Sequence, residues 1–326
     1  MVCHRDSKNR RSASGKFEEN VEVPFFQYLI AAHGLRVCLL MLFLALAPLS
    51  RVLAGAGPRP DLVVAYSTRV LSDVDPKDAV AAFESYIGEL AKEINRTAGS
   101  HPYDNIETLV KEVEDGKVDL ITMNSIDYLR LKNKAIFELG MAYDRGGKTT
   151  TKYLILSHQN KGYSKIGDLR GKKIAVGIRD EVGILFLNTT LLKLRFGEAK
   201  GFFSQVDEKI KPSQVVLSVF FGQTDACVIS DVLYKTMVEM NPQLGKDLKV
   251  LASSSELLEV IGLFRKGMDE NIKQITLEMS KNLKTHARGK QILMLFKIDA
   301  LLPLKETDFA GIRELVNDYD RLKGGR

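Results

Sequence analysis

Hydrophobic positions along the chain alternate between short continuous runs and a three- to four-residue recurrence. The run Asp61–Tyr66 (D-L-V-V-A-Y) predicts a short strand buried on both faces. After a polar turn, Asp75 stands as an N-cap with Pro76 at the first helical position, and Val80, Phe83, Ile87, Leu90 and Ile94 build one apolar helix face. A second helix is predicted from about Asp104, burying Ile106, Leu109, Val110 and Val113 and stopping at Gly116. Val118–Met123 is the next strand, and Asn124 or Ser125 caps a helix running to Leu131. Strand and helix alternating through short connectors predict a parallel α/β sheet.

The pattern then breaks and restarts. After Phe137–Tyr143 comes the turn R-G-G-K-T-T-T, followed by the β-rich run Thr151–Ser157. From Ile166, a capped turn leads to a strand at Lys173–Val176, a helix from near Asp180 and a strand after Gly201–Phe203. A helix Ser213–Phe221 ends at Gly222, and Ala226–Ser230 is again a strand. Lys249–Ala252 and Val260–Phe264 read as strands, with mainly helix from Asp269 to Leu322. The restart predicts a second α/β lobe.

Residues 1–56 have a different character. Val37–Leu49 is an apolar run preceded by Arg36 and followed by R-V-L-A-G-A-G, with Ala54 and Ala56 as small-residue cleavage positions. The run is shorter than the about 20 residues of a membrane span and fits a secretory signal segment. A polar stretch stands before Arg36, so the segment reads as a signal peptide with an N-terminal extension. A retained membrane anchor is the other reading.

Composition narrows the classes further. Of 326 residues, 45% are hydrophobic and 27% charged, which excludes disordered and multi-span membrane chains. Seven of the 47 Lys/Arg and four of the 41 Asp/Glu lie in residues 1–56, so half of the +6 charge belongs to that segment. No concentrated basic block remains to suggest nucleic-acid binding. The three cysteines, Cys3, Cys38 and Cys227, show neither paired nor zinc-type spacing, and no metal or cofactor is expected. Cys227 in A-C-V-I reads as a buried small hydrophobe.

Four segments, Y-S-T-R-V-L-S-D-V-D, E-D-G-K-V-D-L-I-T-M-N-S-I-D-Y-L, S-K-I-G-D-L-R-G-K-K-I-A-V-G and G-Q-T-D-A-C-V-I-S, stand in a familiar order. Across roughly residues 61–305 the chain resembles the phosphate/phosphite/phosphonate-type solute-binding proteins of ABC transporters. The resemblance implies a type II periplasmic-binding-protein fold, with two α/β lobes joined by two crossing hinge strands and ligand held between them. The crossings are expected at Thr151–Leu156 and Val260–Phe264. Lobe 1 is then 61–150 plus 261–326, and lobe 2 is 151–260. A monomeric, periplasmic binding protein without enzymatic activity is expected, with a small-molecule ligand and an ABC permease as partners.

Ligands of open α/β sheets sit at strand carboxyl ends, beside helix N-termini. Those positions give the candidates Tyr66, Asn124, Ser125 and Tyr128, and the hydroxyls of Thr149, Thr150 and Thr151 where the chain enters a crossing. The family motif adds Asp225 in G-Q-T-D-A. Where phosphonate binders of this group carry Ser and Thr, this chain has Arg179-Asp180-Glu181-Val182-Gly183. Asp180 and Glu181 would cap their helix, yet repel a phosphonate dianion there. Their partner is expected to be Arg179, Lys148, Lys152 or a cationic group on the ligand, so an amine-bearing, phosphonate-like solute is anticipated.

Two other function classes share these features. A periplasmic receptor component docking on a membrane sensor would have the same cleft residues. A type II fold recruited as an enzyme is the third, but His101, His158 and His286 stand in no catalytic motif.

Overall fold

The run Leu62–Ser67 is buried at every position and forms β1, an interior strand of a six-stranded sheet. The computed structural model describes residues 60–71 and 76–324. The signal-like run, with Arg36, Ala54 and Ala56, and the Asp75 cap lie outside the described residues. Helix α1 does start at Pro76 and runs to Glu93. The chain continues through β2 (Ala98–Tyr103), α2 (Ile106–Glu114), β3 (Leu120–Asn124), α3 (Ser125–Arg130) and β4 (Phe137–Asp144). After α2 the backbone turns at Gly116, where φ is +70°, a conformation open to glycine at little steric cost.

The first sheet has the order β13-β4-β12-β3-β1-β2, where β12 is Val260–Arg265 and β13 is Ala300–Pro303. β1 pairs in parallel with β2 and β3, while β12 and β13 run antiparallel to their neighbours. The sheet is therefore mixed, because chain returning from the second lobe enters it in the reverse direction. β2 carries no apolar run or alternation. Its sequence A-G-S-H-P-Y is polar and partly exposed, and Pro102 is tolerated there because β2 is an edge strand.

The second sheet, β10-β6-β9-β7-β8, contains β6 (Tyr153–His158), β7 (Lys173–Gly177), β8 (Gln205–Lys209), β9 (Ala226–Ser230) and β10 (Leu248–Ser253). Between these lie α4 (Glu181–Lys193), α5 (Ala199–Phe202), α6 (Pro212–Phe220), α7 (Asp231–Met240) and α8 (Pro242–Asp247). The parallel trio β8-β7-β9 is joined by antiparallel β6 and β10.

The expected two-lobed architecture is present, but the crossing is shorter than expected. It is the ladder of β5 (Thr150–Thr151) and β11 (Leu257–Leu258), in which Leu257 faces Thr151. The runs Thr151–Leu156 and Val260–Phe264 mostly belong to β6 and β12, inside the two sheets. Buried apolar strands look alike in sequence whether they cross or stay. The C-terminal segment holds α9 (Glu270–Asn282), α10 (Ala287–Phe296) and α11 (Ala310–Gly324), interrupted by β13. α11 packs on α4 of the second sheet's layer, and Lys193 pairs with Asp318 at 2.6 Å.

Candidate functional site

The carboxyl ends of β3, β7 and β9 face one another across a cavity of about 60 Å³ between the two sheets. Its wall includes Asn124 and Val70 from the first lobe, Gly177, Arg179, Asp180, Glu181 and Val182 from the β7–α4 turn, and Pro212, Ser230 and Leu233 at the starts of α6 and α7. Tyr143, Arg145, Tyr153 and Glu259 join it from segments flanking the crossing, with Val260 and Phe296 beside them. Three helices of nine residues or more thus point their N-termini at one space, the polarity that favours an anion.

Charges of both signs line this space. Arg145 pairs with Glu259, and both side chains are largely buried at 15% and 17% exposure. The Tyr153 hydroxyl lies 2.6 Å from Glu259 Oε1 and 3.0 Å from Asp180 Oδ1. Its single proton serves one of these carboxylates at a time. Asp180 also caps α4 by accepting from the Gly183 N–H at 3.0 Å. Burial pushes the Tyr143 hydroxyl up to about 12, so it stays neutral beneath the Arg145 guanidinium, 5.7 Å from its ring centroid.

Glu181 reaches the first lobe. Arg69 Nε donates to Glu181 Oε1 at 2.6 Å, and Asn124 Nδ2 donates to its Oε2 at 3.3 Å. Arg69 also pairs with Asp127 at 3.0 Å. Burial pushes the Asp127 carboxyl up against the opposing pull of Arg69, and Asp127 Oδ2 is buried with no hydrogen-bond partner. Arg179 stands at φ +59°, a left-handed conformation costing a non-glycine residue about 1 kcal/mol or more. This strained residue is exposed and lines the cavity.

The candidates from sequence are thus divided. Asn124, Asp180 and Glu181 line the cavity together. Asn124 holds the N-cap position of α3 without a side-chain capping bond, which leaves its amide for Glu181. Ser125 is fully buried and donates to the Leu258 carbonyl at 2.6 Å, fixing β3 to the crossing. Tyr128 packs between Phe137 and Phe309, outside the cavity.

Tyr66, expected to meet ligand, lies instead in the first lobe's core at 1% exposure, stacked on Phe83 with centroids 4.3 Å apart. Asp225 precedes β9, whereas Ser230 at the other end meets the cavity. Ser230 lies five positions beyond Asp225, at about 3.3 Å of strand rise each. Asp225 accepts from the Tyr163 hydroxyl at 2.9 Å and the Lys173 N–H at 3.0 Å, a brace at the amino ends of β7 and β9. Thr150 and Thr151 bond Glu256 and Asp231, and Thr149 lies in the bend before them. None of the three threonines lines the cavity.

Among the expected partners of the two carboxylates, Lys148 bonds half-buried Glu256, and the cation on Glu181 is Arg69. Lys152 is exposed and outside the cavity wall. Arg69, Arg145, Tyr153 and Glu259 escaped selection from sequence. Their shared signal is a charged or hydroxyl side chain directly bordering a strand end or a crossing.

The packing also makes Gly183 testable. A Cβ there would come within 2.8 Å of the Tyr153 ring and closer still to Asp180 Oδ2. Tyr153 is 4% exposed and has little room to yield. Gly183→Ala is expected to keep the fold and weaken ligand binding at least tenfold by displacing the Tyr153–Asp180 pair, as read by calorimetry. Unchanged affinity would show that this pair does not shape the site.

Residues 69–309 match the family model described as ABC transporter, phosphonate, periplasmic substrate-binding protein. Several solved structures share the fold. XAC2383 from Xanthomonas citri, bound to ATP, is 16% identical with a TM-score of 0.57, over 81% of this chain and 98% of that one. PhnD1 from Prochlorococcus marinus, in complex with methylphosphonate, is 15% identical with a TM-score of 0.58, covering 80% and 98%. A binding protein component of an ABC phosphonate transporter from Pseudomonas aeruginosa is 11% identical with a TM-score of 0.57, covering 81% and 88%.

Proposed function

We infer the ligand class from the premise that this chain belongs to the periplasmic substrate-binding protein family of phosphonate ABC transporters. As a member it is a transport protein and not an enzyme, and it delivers a small molecule to a membrane permease. Among the described residues no helix is long and apolar enough to cross a membrane.

Our reading is that the ligand is a zwitterion, an aminoalkylphosphonate or a close analogue. The observation that carries it is the cavity's mixed charge: Arg145 and Arg179 stand beside Asp180, Glu181 and Glu259. An acidic group on the ligand would use Arg145, Arg179 and the N-termini of α6 and α7. Its ammonium would sit by Glu259 and Asp180, offsetting the concentration of negative charge around the Tyr153 hydroxyl. The bond from Arg69 to Glu181 spans the two lobes and would hold the closed form. PhnD1 binds methylphosphonate; the carboxylates at the start of α4 are what argues for an amine here.

The working form is read as a monomer exported by the N-terminal apolar run, with cleavage near Ala54 or Ala56. Its lobes are read as 61–150 plus 261–326 and 151–260, in keeping with the strands each sheet contains.

Calorimetric titration of phosphate, phosphite, methylphosphonate and 2-aminoethylphosphonate tests this reading. The amine-bearing compound is expected to bind at least tenfold more tightly than methylphosphonate, and Glu259→Gln should narrow that gap. Micromolar binding of phosphate or methylphosphonate, unaffected by Glu181→Gln, would overturn it.

A further inference from the structure

A second cavity, of about 50 Å³, lies in the first lobe and is almost wholly apolar. Phe83, Tyr86, Met141, Leu283 and Ile292 form much of its wall. Tyr143 and Phe296 line both this chamber and the charged cleft, and among the described residues they are the two common to both spaces. Those rings are tilted by 40° with centroids 6.2 Å apart. The Arg145 guanidinium lies over the Tyr143 ring of this pair. A head group held at Arg145 is therefore held beside the partition.

We propose that the ligand carries a short apolar branch that parts the Tyr143 and Phe296 rings, which are in contact in this structure, and fills this chamber. The inference rests on the zwitterionic reading of the cleft and adds where the carbon skeleton goes.

Size and polarity define the branch. A dry apolar cavity of about 150 Å³ accepts benzene. A chamber of about 50 Å³ has room for a two- or three-carbon group and none for an aromatic ring. The Tyr86 hydroxyl is already bonded to Ser280 at 2.9 Å, so it needs nothing from a ligand. An ammonium entering this space would lose its water without gaining a carboxylate. Amine and acid therefore both stay in the cleft, on or next to the same carbon, and the branch is hydrocarbon. The class that meets these demands is a 1-aminoalkylphosphonate with an ethyl- to propyl-sized side chain.

Calorimetric titration of 1-aminoalkylphosphonates bearing hydrogen, methyl, propyl or phenyl on the α-carbon tests the proposal. Each methylene buried is expected to tighten binding about fourfold up to propyl, and the phenyl compound should fall back to the level of the hydrogen compound or below. Ala82→Leu, which fills the chamber from α1, should remove the propyl advantage and leave the hydrogen compound within about twofold. If that variant melts early, the wild-type series decides alone. A flat series, or a propyl compound weaker than the hydrogen compound, overturns the chamber while the cleft reading stands. Failure of every member to bind, with phosphate binding well, overturns both.

Discussion

Tyr66→Ala is expected to lose about 3–5 kcal/mol of folding stability, the range for emptying a large aromatic site in a core. Tyr66 is among the largest fully buried side chains, and its ring stacks on Phe83 within 3° of parallel. Removing it takes away one contact between β1 and α1 in a core cluster of the first lobe that also contains Leu62, Val64 and Leu90. For a unit of this size, such a loss corresponds to a drop of roughly 10 °C in melting temperature. Tyr66→Phe keeps the stack and should stay within about 1 kcal/mol of the parent. Denaturant titration of both variants checks this. A Tyr66→Ala protein of normal stability that no longer binds ligand would return Tyr66 to the site.

Arg145→Ala should damage both binding and stability. Glu259 would remain largely buried beside the Tyr153 hydroxyl with no guanidinium opposite. Leaving one member of such a pair uncompensated costs about 3 kcal/mol. The ligand's acidic group would lose its charged, bidentate donor, and affinity should fall at least a hundredfold. Arg145→Lys keeps the charge but loses the planar fork, so an intermediate affinity with near-normal stability is expected. The double variant Arg145→Ala/Glu259→Gln separates the effects. It should recover stability and still fail to bind, because a neutral amide in place of the Glu259 carboxylate needs no cation. Recovered binding in the double variant would show that Arg145 serves only to neutralise Glu259.

Most of the fold was legible because its strands are continuous apolar runs bounded by turns. β1, β3, β7 and β9 announce themselves in this way, and α1 does so through the spacing from Val80 to Ile94. β2 carried no such signal, since an edge strand buries little and tolerates Pro102. The crossing was misplaced because two residue pairs, Thr150–Thr151 and Leu257–Leu258, are too short to leave a pattern.

At the site, Asn124, Asp180 and Glu181 were legible as polar residues where a strand gives way to a helix. Tyr66 satisfies the same positional rule. Its fate depends on Phe83, which one helix turn more or less would have placed elsewhere. Arg69 and Glu181 are 112 positions apart, and no local pattern joins them. The G-Q-T-D-A motif drew attention to Asp225, but a motif marks a place in a family and not the end of the strand on which function falls. Asp225 stands at the start of β9, and the cavity meets its end.

The most direct test is a crystal structure of the protein grown with 2-aminoethylphosphonate. Phosphonate oxygens within about 3.2 Å of the Arg145 guanidinium, with the ammonium against Glu259 or Asp180 and the Arg69–Glu181 bond closed across the lobes, is the predicted result. Phosphonate bound by Thr149–Thr151 or at Asp225, with the charged cleft unoccupied, would contradict the account.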